Sequence, residues 1–250
     1  MKTYGLIGYR LDYSFSRTFF TEKFKNENRE DCEYINFEIN SIDEFPGLFI
    51  KDKNIYGLNC TIPYKEKIIA FLDEIDPEAN VIGAINTVKI IRKKNQPLKI
   101  KGYNTDIYGF ENSLKPLLKE NHKKALILGT GGASKAVKYI LEKLNIEYLM
   151  VTRKENPGTG KISYSQIDKK IIENYLLIIN TTPLGTFPNV KECADLPYQY
   201  ITKKHLLYDL VYHPEVTAFL QHGIDKGATV INGLKMLHLQ AIKSWEIWNR

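Results

Sequence analysis

The sequence contains no long apolar segment. A membrane-spanning helix needs about 20 consecutive apolar residues, whereas apolar runs such as 175–179 have only the length of buried strands. Near the beginning of the chain, Gly5, Gly8 and Arg10 interrupt any stretch that could form the apolar core of a secretory signal. We therefore expect a protein that stays in the cytoplasm and has no membrane partner.

Cysteines are few and far apart. The 250 residues include three cysteines, Cys32, Cys60 and Cys193, and no CxxC pair. An odd number of widely spaced thiols argues against a disulfide framework and against a thiolate metal site. The five histidines show neither HxH nor HxxxH spacing, the kind of pattern that places two imidazoles on one metal ion. The sequence predicts reducing, cytoplasmic surroundings and no bound metal.

Basic residues outnumber acidic ones. Lys and Arg together number 35 and Asp and Glu 29, which gives a formal net charge of +6. Nucleic acid, an anionic membrane and a small anionic ligand are the partners that such an excess can serve. No arginine-rich run or recognised nucleic-acid-binding motif accompanies the charge. We therefore expect a small-molecule partner and no nucleic acid.

Short apolar runs alternate with longer amphipathic stretches along nearly the whole chain. Strands that alternate with helices are typical of α/β proteins with mainly parallel sheets. Two halves separate near residues 103–118, where a helix is predicted. Other expected helices are 16–25, with Ser16 as its N-cap, and 63–72 and 214–222, each opened by a proline.

A glycine-rich turn joins a predicted strand, 125–128, to a predicted helix, 133–143. In that context one glycine permits the tight turn, a second lets the backbone approach a pyrophosphate, and the helix N-terminus attracts the phosphate charge. The alternative is a structural turn that binds nothing. The candidate cofactor-binding residues of this turn are Gly129, Thr130, Gly131, Gly132, Ala133 and Ser134.

The next predicted strand, 148–151, ends in Thr152, Arg153 and Lys154. NAD sites usually place Asp or Glu at this point for the ribose 2′-hydroxyl, whereas cations there suit a 2′-phosphate. The sequence therefore favours NADP(H) over NAD, with these three residues at the adenosine end of the cofactor. The alternative is that the two cations are simply solvated.

Two serines, Ser14 and Ser16, are separated by one residue. In an extended segment both hydroxyls face the same side, where they can hold a carboxylate. The alternative is a simple turn and helix cap.

Three further polar residues are candidates for chemistry at strand ends. If Pro63 opens a helix, Lys65 lies at the positive end of the helix dipole, where an ammonium is disfavoured. That placement suits an amine that gives up and takes back a proton, and the alternative is an exposed surface lysine. Asn86 and Asp106 end two other polar segments, although Asp106 can equally be a first-turn carboxylate that the helix dipole stabilises.

Taken together, these segments resemble the shikimate dehydrogenase family. They occur in the family's order and extend over the whole chain, so their joint occurrence is specific although each alone is weak. The matching segments are 14–16, 59–65, 83–87, 102–106, 129–134, 180–185, 209–212 and 233–240.

The resemblance implies the reversible reduction of 3-dehydroshikimate to shikimate by NADPH, a step towards chorismate and the aromatic amino acids. It also implies two α/β domains with a cleft between them. The substrate-binding domain would be residues 1–104, completed by the C-terminal helix 234–250, and the Rossmann-like NADP-binding domain would be residues 105–233. A monomer or a homodimer is expected.

The resemblance further implies roles for single residues. Lys65 carries the proton, with Asp106 as its catalytic partner, and Leu210 and Gly233 lie near the nicotinamide. The residues expected to bind the substrate are Ser14, Ser16, Thr61, Asn86, Asp106, Tyr212 and Gln240.

Two other functions stay open at this point. A quinate or quinate/shikimate dehydrogenase has to accommodate an extra hydroxyl beside the substrate carboxylate, and by family analogy the serine pair Ser14 and Ser16 favours shikimate. A non-catalytic NADP-binding regulator on the same fold would bind the cofactor without turnover, and the presence of Lys65 and Asp106 argues against it.

Overall fold

The computed structural model describes residues 1–11, 14–156 and 158–250. The chain divides into two compact units: unit 1 comprises residues 1–105 and 241–250, and unit 2 comprises residues 106–240. The second boundary falls inside the last helix, whereas the sequence placed it before that helix. The functional domain boundaries stay predictions.

Unit 1 is built on a mixed six-stranded sheet with the strand order β2-β1-β3-β5-β6-β4. Strand β1 pairs in parallel with β2 and β3, and β5 pairs antiparallel with β3 and β6. The pair β5–β6 is the hairpin that the sequence predicted. The elements are β1 (Lys2–Gly8), α1 (Phe15–Asn26), β2 (Cys32–Glu38), α2 (Phe45–Lys51), β3 (Ile55–Cys60), β4 (Glu74–Ile75), α3 (Pro77–Ile82), β5 (Thr87–Ile91) and β6 (Lys99–Tyr103).

The core of unit 1 lies on both faces of this sheet because side chains alternate along a strand. Ile7 of β1 joins one buried cluster, whereas Tyr4 joins the other together with Phe20 and Trp248. Gly57 leaves the space for the indole of Trp248, since a Cβ there would lie 2.3 Å from its Cδ1. The end of the last helix is therefore part of this core.

Unit 2 contains a six-stranded, fully parallel sheet with the order β12-β11-β10-β7-β8-β9. The chain builds outward from β7 in one direction and then from β10 in the other. That reversal creates a crevice at the carboxyl ends of the strands, where α/β proteins bind ligands. The elements are α4 (Asp106–Leu114), β7 (Lys124–Leu128), α5 (Gly132–Lys143), β8 (Glu147–Thr152), β9 (Lys161–Ser163), α6 (Lys169–Asn174), β10 (Leu177–Asn180), β11 (Leu206–Asp209), α7 (Ala218–Asp225), β12 (Thr229–Ile231) and α8 (Leu234–Asn249).

Local structure differs from the sequence-based prediction at the start of α7. The helix begins at Ala218 rather than at Pro214, because Thr217 provides the cap by accepting a hydrogen bond from Leu220 N. Within the described residues, no helix combines the length and the apolar character that crossing a membrane requires.

Candidate active site

The serine pair lies at the N-terminus of α1. Ser14, not Ser16, is the N-cap: its Oγ accepts a hydrogen bond from Arg17 N at 3.2 Å. Ser16 is already in the first helical turn, is buried, and hydrogen-bonds the phenol of Tyr34. The prediction of Ser16 as the N-cap is therefore wrong, and of the two alternatives for the pair the structure has the helix cap rather than the extended segment. Both hydroxyls instead sit at the positive end of a helix dipole, a position that favours an anion.

Lys65 lies in a turn rather than in a helix. Tyr64 N donates to Thr61 O at 2.9 Å, and a short 3₁₀ helix begins only at Lys67. The predicted helix from Pro63, and with it the helix-dipole argument for Lys65, is wrong. The backbone of Lys65 is anchored instead by Ile85 N, which donates to its carbonyl at 2.7 Å and so places this half-buried lysine beside the Ala84–Ile85 peptide.

Asn86 is held in place by backbone groups. Its side-chain Oδ1 accepts from Thr105 N at 2.7 Å, and its carbonyl accepts from Cys60 N at 2.9 Å. Thr61 follows at the end of β3, with its N–H donating to Ile7 O at 3.0 Å. Unit 1 therefore brings Thr61, Lys65 and Asn86 together at one edge of its sheet.

A buried polar cluster stands behind this edge. We call it the Asn59 network: it comprises Tyr34, Asn59, Thr87, Thr105 and Ser244. Asn59 Oδ1 accepts from Tyr34 at 2.9 Å, and Asn59 Nδ2 donates to Ser244 Oγ at 2.9 Å and to Thr87 Oγ1 at 3.2 Å. The Ser244 hydroxyl also pairs with Thr87 at 2.8 Å and with Thr105 at 3.2 Å. Asn59 begins the matching segment 59–65, but the sequence assigned it no role, although an amide near the end of an apolar strand was the available signal.

In unit 2, Asp106 is the first residue of α4. It is therefore a first-turn carboxylate, which is the alternative that the sequence left open. Gly109, one turn later on the same face, packs against α8: a Cβ there would lie 2.5 Å from Met236 O and 3.2 Å from Gln240 Cβ. The buried Gln240 therefore lies against the first turns of α4, close to the helix end that carries Asp106.

The two glycines of the glycine-rich turn have different surroundings. Gly129 has a φ of +104°, and a Cβ there would lie 2.9 Å from Thr182 Cγ2 and 3.0 Å from Thr181 Oγ1. At Gly131, by contrast, a Cβ would meet none of the described atoms within 4 Å. Gly131 precedes α5, whose N-terminus carries no side-chain cap among the described residues, so no described side chain competes with a ligand for its first N–H groups.

Other residues of the turn divide into two groups. Thr130 and Gly132 are exposed beside Gly131. Ser134 is 1% exposed, and its hydroxyl donates to Gly131 O at 2.6 Å, which stabilises the turn from behind.

Two exposed cations follow β8. Arg153 and Lys154 lie directly after Thr152, whose hydroxyl accepts from Lys154 N at 3.3 Å. Arg153 is close to Tyr164: burial raises the pKa of that phenol and the guanidinium partly opposes the rise. The nearby Glu155 carboxylate accepts from Ser165 Oγ at 2.8 Å. The uncapped helix end, the open glycine and the paired cations fit a nucleotide with an extra phosphate.

Leu210 and Gly233 are in direct contact. Gly233 N donates to Val211 O at 3.0 Å, and a Cβ on Gly233 would lie 2.1 Å from Leu210 O. No side chain fits between these two backbone segments, so the position requires glycine. Tyr212 lies two residues after Leu210 and is half-buried.

A buried carboxylate precedes this loop. Asp209 is fully buried at the end of β11 and accepts from Asn180 Nδ2 at 2.9 Å, Val211 N at 3.0 Å and Thr217 Oγ1 at 2.6 Å. We call these four residues the Asp209 network. Burial raises the pKa of Asp209 to about 6, and the three donors partly oppose that rise. Asp209 begins the matching segment 209–212, but the sequence assigned it no role, although a carboxylate ending an apolar strand was the available signal.

Metal ligation has no candidate centre in the described part of the chain. No group of three or more His, Cys, Asp or Glu side chains lies close enough together there to hold an ion.

Comparisons with known proteins identify the family. The model of the shikimate dehydrogenase substrate binding domain matches residues 6–88. A shikimate dehydrogenase (NADP(+)) of Carboxydothermus hydrogenoformans is 37% identical over 261 aligned positions, which cover 99% of this chain and 91% of that protein. The chain belongs to the shikimate dehydrogenase family. The resemblance inferred from the sequence is thereby confirmed.

Solved structures of shikimate dehydrogenases share the fold. Shikimate dehydrogenase 1 of Peptoclostridium difficile is 38% identical, with a TM-score of 0.80, and the match covers 100% of this chain and 92% of that one. The shikimate 5-dehydrogenase of Thermus thermophilus, in complex with NADP(H) and shikimate, is 27% identical, with a TM-score of 0.82 and coverage of 99% and 93%. The predicted α/β fold, with an N-terminal substrate domain and an NADP-binding domain, is confirmed.

Membership in the shikimate dehydrogenase family also fixes the class of reaction. The chain is an NADP-dependent oxidoreductase that acts on a CH–OH group, as the sequence predicted. The quinate dehydrogenase and the non-catalytic regulator are not favoured, because the relatives just described are shikimate dehydrogenases.

Proposed function

We propose that this chain catalyses the reversible reduction of 3-dehydroshikimate to shikimate by NADPH, with Lys65 as the proton carrier and Asp106 as its catalytic partner. The observation that carries the proposal is the grouping of Thr61, Lys65 and Asn86 at one edge of the unit 1 sheet. This edge lies within the segment that matches the substrate-binding family model.

Substrate recognition is assigned by the chemistry of each position. Ser14 and Ser16 bind the substrate carboxylate, since their hydroxyls and the positive end of α1 both favour an anion. Neutral and acidic side chains bind the ring hydroxyls, because amide and carboxylate oxygens accept hydrogen bonds from them. The residues assigned to the hydroxyls are Thr61, Asn86, Asp106 and Gln240, with Tyr212 assigned to the carboxylate.

Cofactor binding uses three parts of unit 2. The turn 129–134 and the N-terminus of α5 hold the pyrophosphate, because their N–H groups and helix dipole attract its charge. Arg153 and Lys154, next to Thr152, bind the 2′-phosphate. Leu210 and Gly233 pack against the nicotinamide with a surface of backbone and aliphatic carbon. The bound NADPH supplies the hydride.

Proton transfer is the contribution of Lys65. As an ammonium, its Nζ donates a proton to the ketone oxygen while hydride adds to the carbon, and the neutral amine takes the proton back in the reverse direction. The Asp106 carboxylate accepts a hydrogen bond from a substrate hydroxyl and so orients the carbon that reacts. Hydride on carbon and proton on oxygen balance the reduction of a ketone to an alcohol.

Spectrophotometric reduction of NADP by shikimate tests this assignment. We expect Lys65→Ala to lower kcat by roughly 10²–10⁴-fold, the range typical of a lost general acid or base. Lys67→Ala is the matched control, since Lys67 is exposed at the start of the 3₁₀ helix. Unchanged turnover in Lys65→Ala would remove Lys65 from the mechanism, and faster turnover of quinate than of shikimate would overturn the substrate assignment.

The remaining parts of the proposal concern organisation. We assign substrate binding to residues 1–104 with helix 234–250 and NADP binding to residues 105–233. The three separated cysteines form no disulfide bond among the described residues, which supports a cytoplasmic enzyme. We expect a monomer or a homodimer, which light scattering coupled to gel filtration distinguishes from larger assemblies.

A further inference from the structure

The Asp209 network joins three segments that meet at the same edge of the unit 2 sheet. Asn180 ends β10, Val211 belongs to the loop that follows β11, and Thr217 caps α7. The Asp209 carboxylate accepts a hydrogen bond from each of them, at 2.9, 3.0 and 2.6 Å. It is therefore the point at which the loop 210–212 is fastened to two neighbouring elements.

The hydrogen-bond partners of Asp209 suit its ionised form. All three described partners donate, whereas a protonated carboxyl would need one of them to turn and accept. Burial opposes the charge and raises the pKa of Asp209 to about 6. The charge of Asp209 also reaches Tyr198, whose pKa is raised mainly by burial, so this phenol stays neutral in mild acid.

We propose that Asp209 is a positioning residue: its carboxylate holds the loop 210–212 in the arrangement that receives the nicotinamide, and protonation of the carboxylate in mildly acidic solution releases that arrangement. The inference rests on the proposed function, which places Leu210 against the nicotinamide. Asp209 acts through Val211. The Asp209 carboxylate accepts a hydrogen bond from Val211 N, and the Val211 carbonyl accepts one from Gly233 N at 3.0 Å. Loss of the carboxylate therefore loosens the contact between Leu210 and Gly233.

Asp209→Asn tests the role of the charge. The amide oxygen can still accept from Asn180 and Val211, and the Thr217 hydroxyl can rotate to accept from the new amide, so the variant imitates the protonated carboxyl. We expect the variant to bind NADPH about tenfold more weakly than the wild type at about pH 8, the scale of a charge-assisted hydrogen bond replaced by a neutral one.

Binding of 2′,5′-ADP is the internal control. This fragment carries the adenosine end of NADPH, including the 2′-phosphate whose own titration falls near pH 6, but it lacks the nicotinamide. We expect Asp209→Asn to leave its affinity unchanged. The 5′-phosphate of 2′,5′-ADP also titrates near pH 6 but is part of a pyrophosphate in NADPH, so the ratio of NADPH affinity to 2′,5′-ADP affinity has to be compared between wild type and variant. Relative to the ratio in Asp209→Asn, the wild-type ratio should fall from about pH 8 to about pH 5, with a midpoint near the Asp209 pKa of about 6.

A second pair of variants keeps the carboxylate and changes its donor. Thr217→Val removes the hydroxyl that helps to hold the Asp209 pKa down, so the midpoint of the affinity ratio should move to higher pH. Thr217→Ser retains both the hydrogen bond and the cap of α7 and should leave the midpoint in place. This pair decides the matter even if Asp209→Asn does not fold.

The outcomes separate the inference from the function on which it rests. A wild type that binds no NADPH and oxidises no shikimate contradicts the proposed function. Two results overturn the role of Asp209. One is an active wild type whose ratio of NADPH affinity to 2′,5′-ADP affinity, relative to that of Asp209→Asn, does not change near pH 6. The other is a midpoint that is the same in Thr217→Val as in the wild type. Equal weakening of NADPH and 2′,5′-ADP in Asp209→Asn also overturns it, because the residue would then support unit 2 as a whole.

Discussion

The two units solve the same problem with different chemistry. Each fastens segments at the ends of its strands through a buried polar cluster: the Asn59 network in unit 1 and the Asp209 network in unit 2. The hydrogen bonds of the Asn59 network join neutral amides and hydroxyls. The Asp209 network gathers three donors on one carboxylate.

This difference has consequences for strength and for pH dependence. Hydroxyls both donate and accept, so a neutral cluster can be satisfied without any net charge in the interior. A buried carboxylate forms stronger individual hydrogen bonds but opposes folding by its desolvation. The first kind of network is indifferent to pH across the physiological range, whereas the second changes its charge within that range.

Removing the centre of the Asn59 network should have the largest effect. Asn59→Leu keeps a similar volume but leaves the partners of Asn59 buried with fewer hydrogen bonds, at about 1–3 kcal/mol for each group left unsatisfied. We expect a loss of about 4 kcal/mol in the free energy of unfolding, with the same loss at about pH 5 and about pH 8. Urea denaturation measures both values.

The matched control is Asn80→Leu on the exposed face of α3, where a change within about 0.5 kcal/mol is expected. A strongly pH-dependent loss in Asn59→Leu would show that a charged group takes part in this network, contrary to the comparison.

Asp209→Asn should show the opposite behaviour. The folded-state pKa of Asp209, about 6, exceeds the unfolded value of 3.8, so Asp209 stabilises the protein most below about pH 4 and loses that contribution as pH rises through about 6. The difference in unfolding free energy between wild type and variant should therefore change by up to about 3 kcal/mol between those limits, in favour of the variant at high pH. Thermal unfolding across pH, without cofactor, measures it, and a constant difference would contradict the pKa.

Two buried histidines, at the opposite edge of the unit 2 sheet from Asp209, should change stability with pH in the opposite direction to Asp209. Burial lowers the pKa of His122 and of His205, so the stability they allow is present above about pH 6.5 and declines as pH falls below it. His205 Nδ1 accepts from Thr202 N at 3.0 Å, and Nε2 lies 3.0 Å from Ile172 O. Protonation would remove the first of these bonds.

His205→Asn tests this contribution. The amide oxygen of the variant can accept from Thr202 N, but the contact with Ile172 O is lost. We expect the free energy of unfolding to fall by about 2 kcal/mol at about pH 8, while the titration of this position is removed. We expect a shallower loss of stability below about pH 6.5 than in the wild type. An equally steep loss would assign the acid sensitivity to other groups.

Local patterns in the sequence predicted much of the fold because strands, the hairpin β5–β6 and the glycine turn each depend on neighbouring residues. They failed where two local structures compete for one signal. Pro63 suits the first turn of a helix and also a tight turn, and the turn at Thr61 prevailed. The grouping of residues such as Asn59 and Ser244, which are 185 positions apart, has no local signal at all.

Apart from the control Asn80→Leu, Ser244→Ala should have the smallest effect of these variants. Its hydroxyl lies within hydrogen-bond distance of Asn59, Thr87 and Thr105. Asn59 Nδ2 also donates to Asn86 O at 3.3 Å, and Thr87 also pairs with Thr105 at 3.1 Å, so its neighbours keep other partners. Alanine also favours the helix by a few tenths of a kcal/mol. We expect a net loss of about 1 kcal/mol, independent of pH and measured by urea denaturation. A loss as large as that of Asn59→Leu would make Ser244, on α8, the centre of the network.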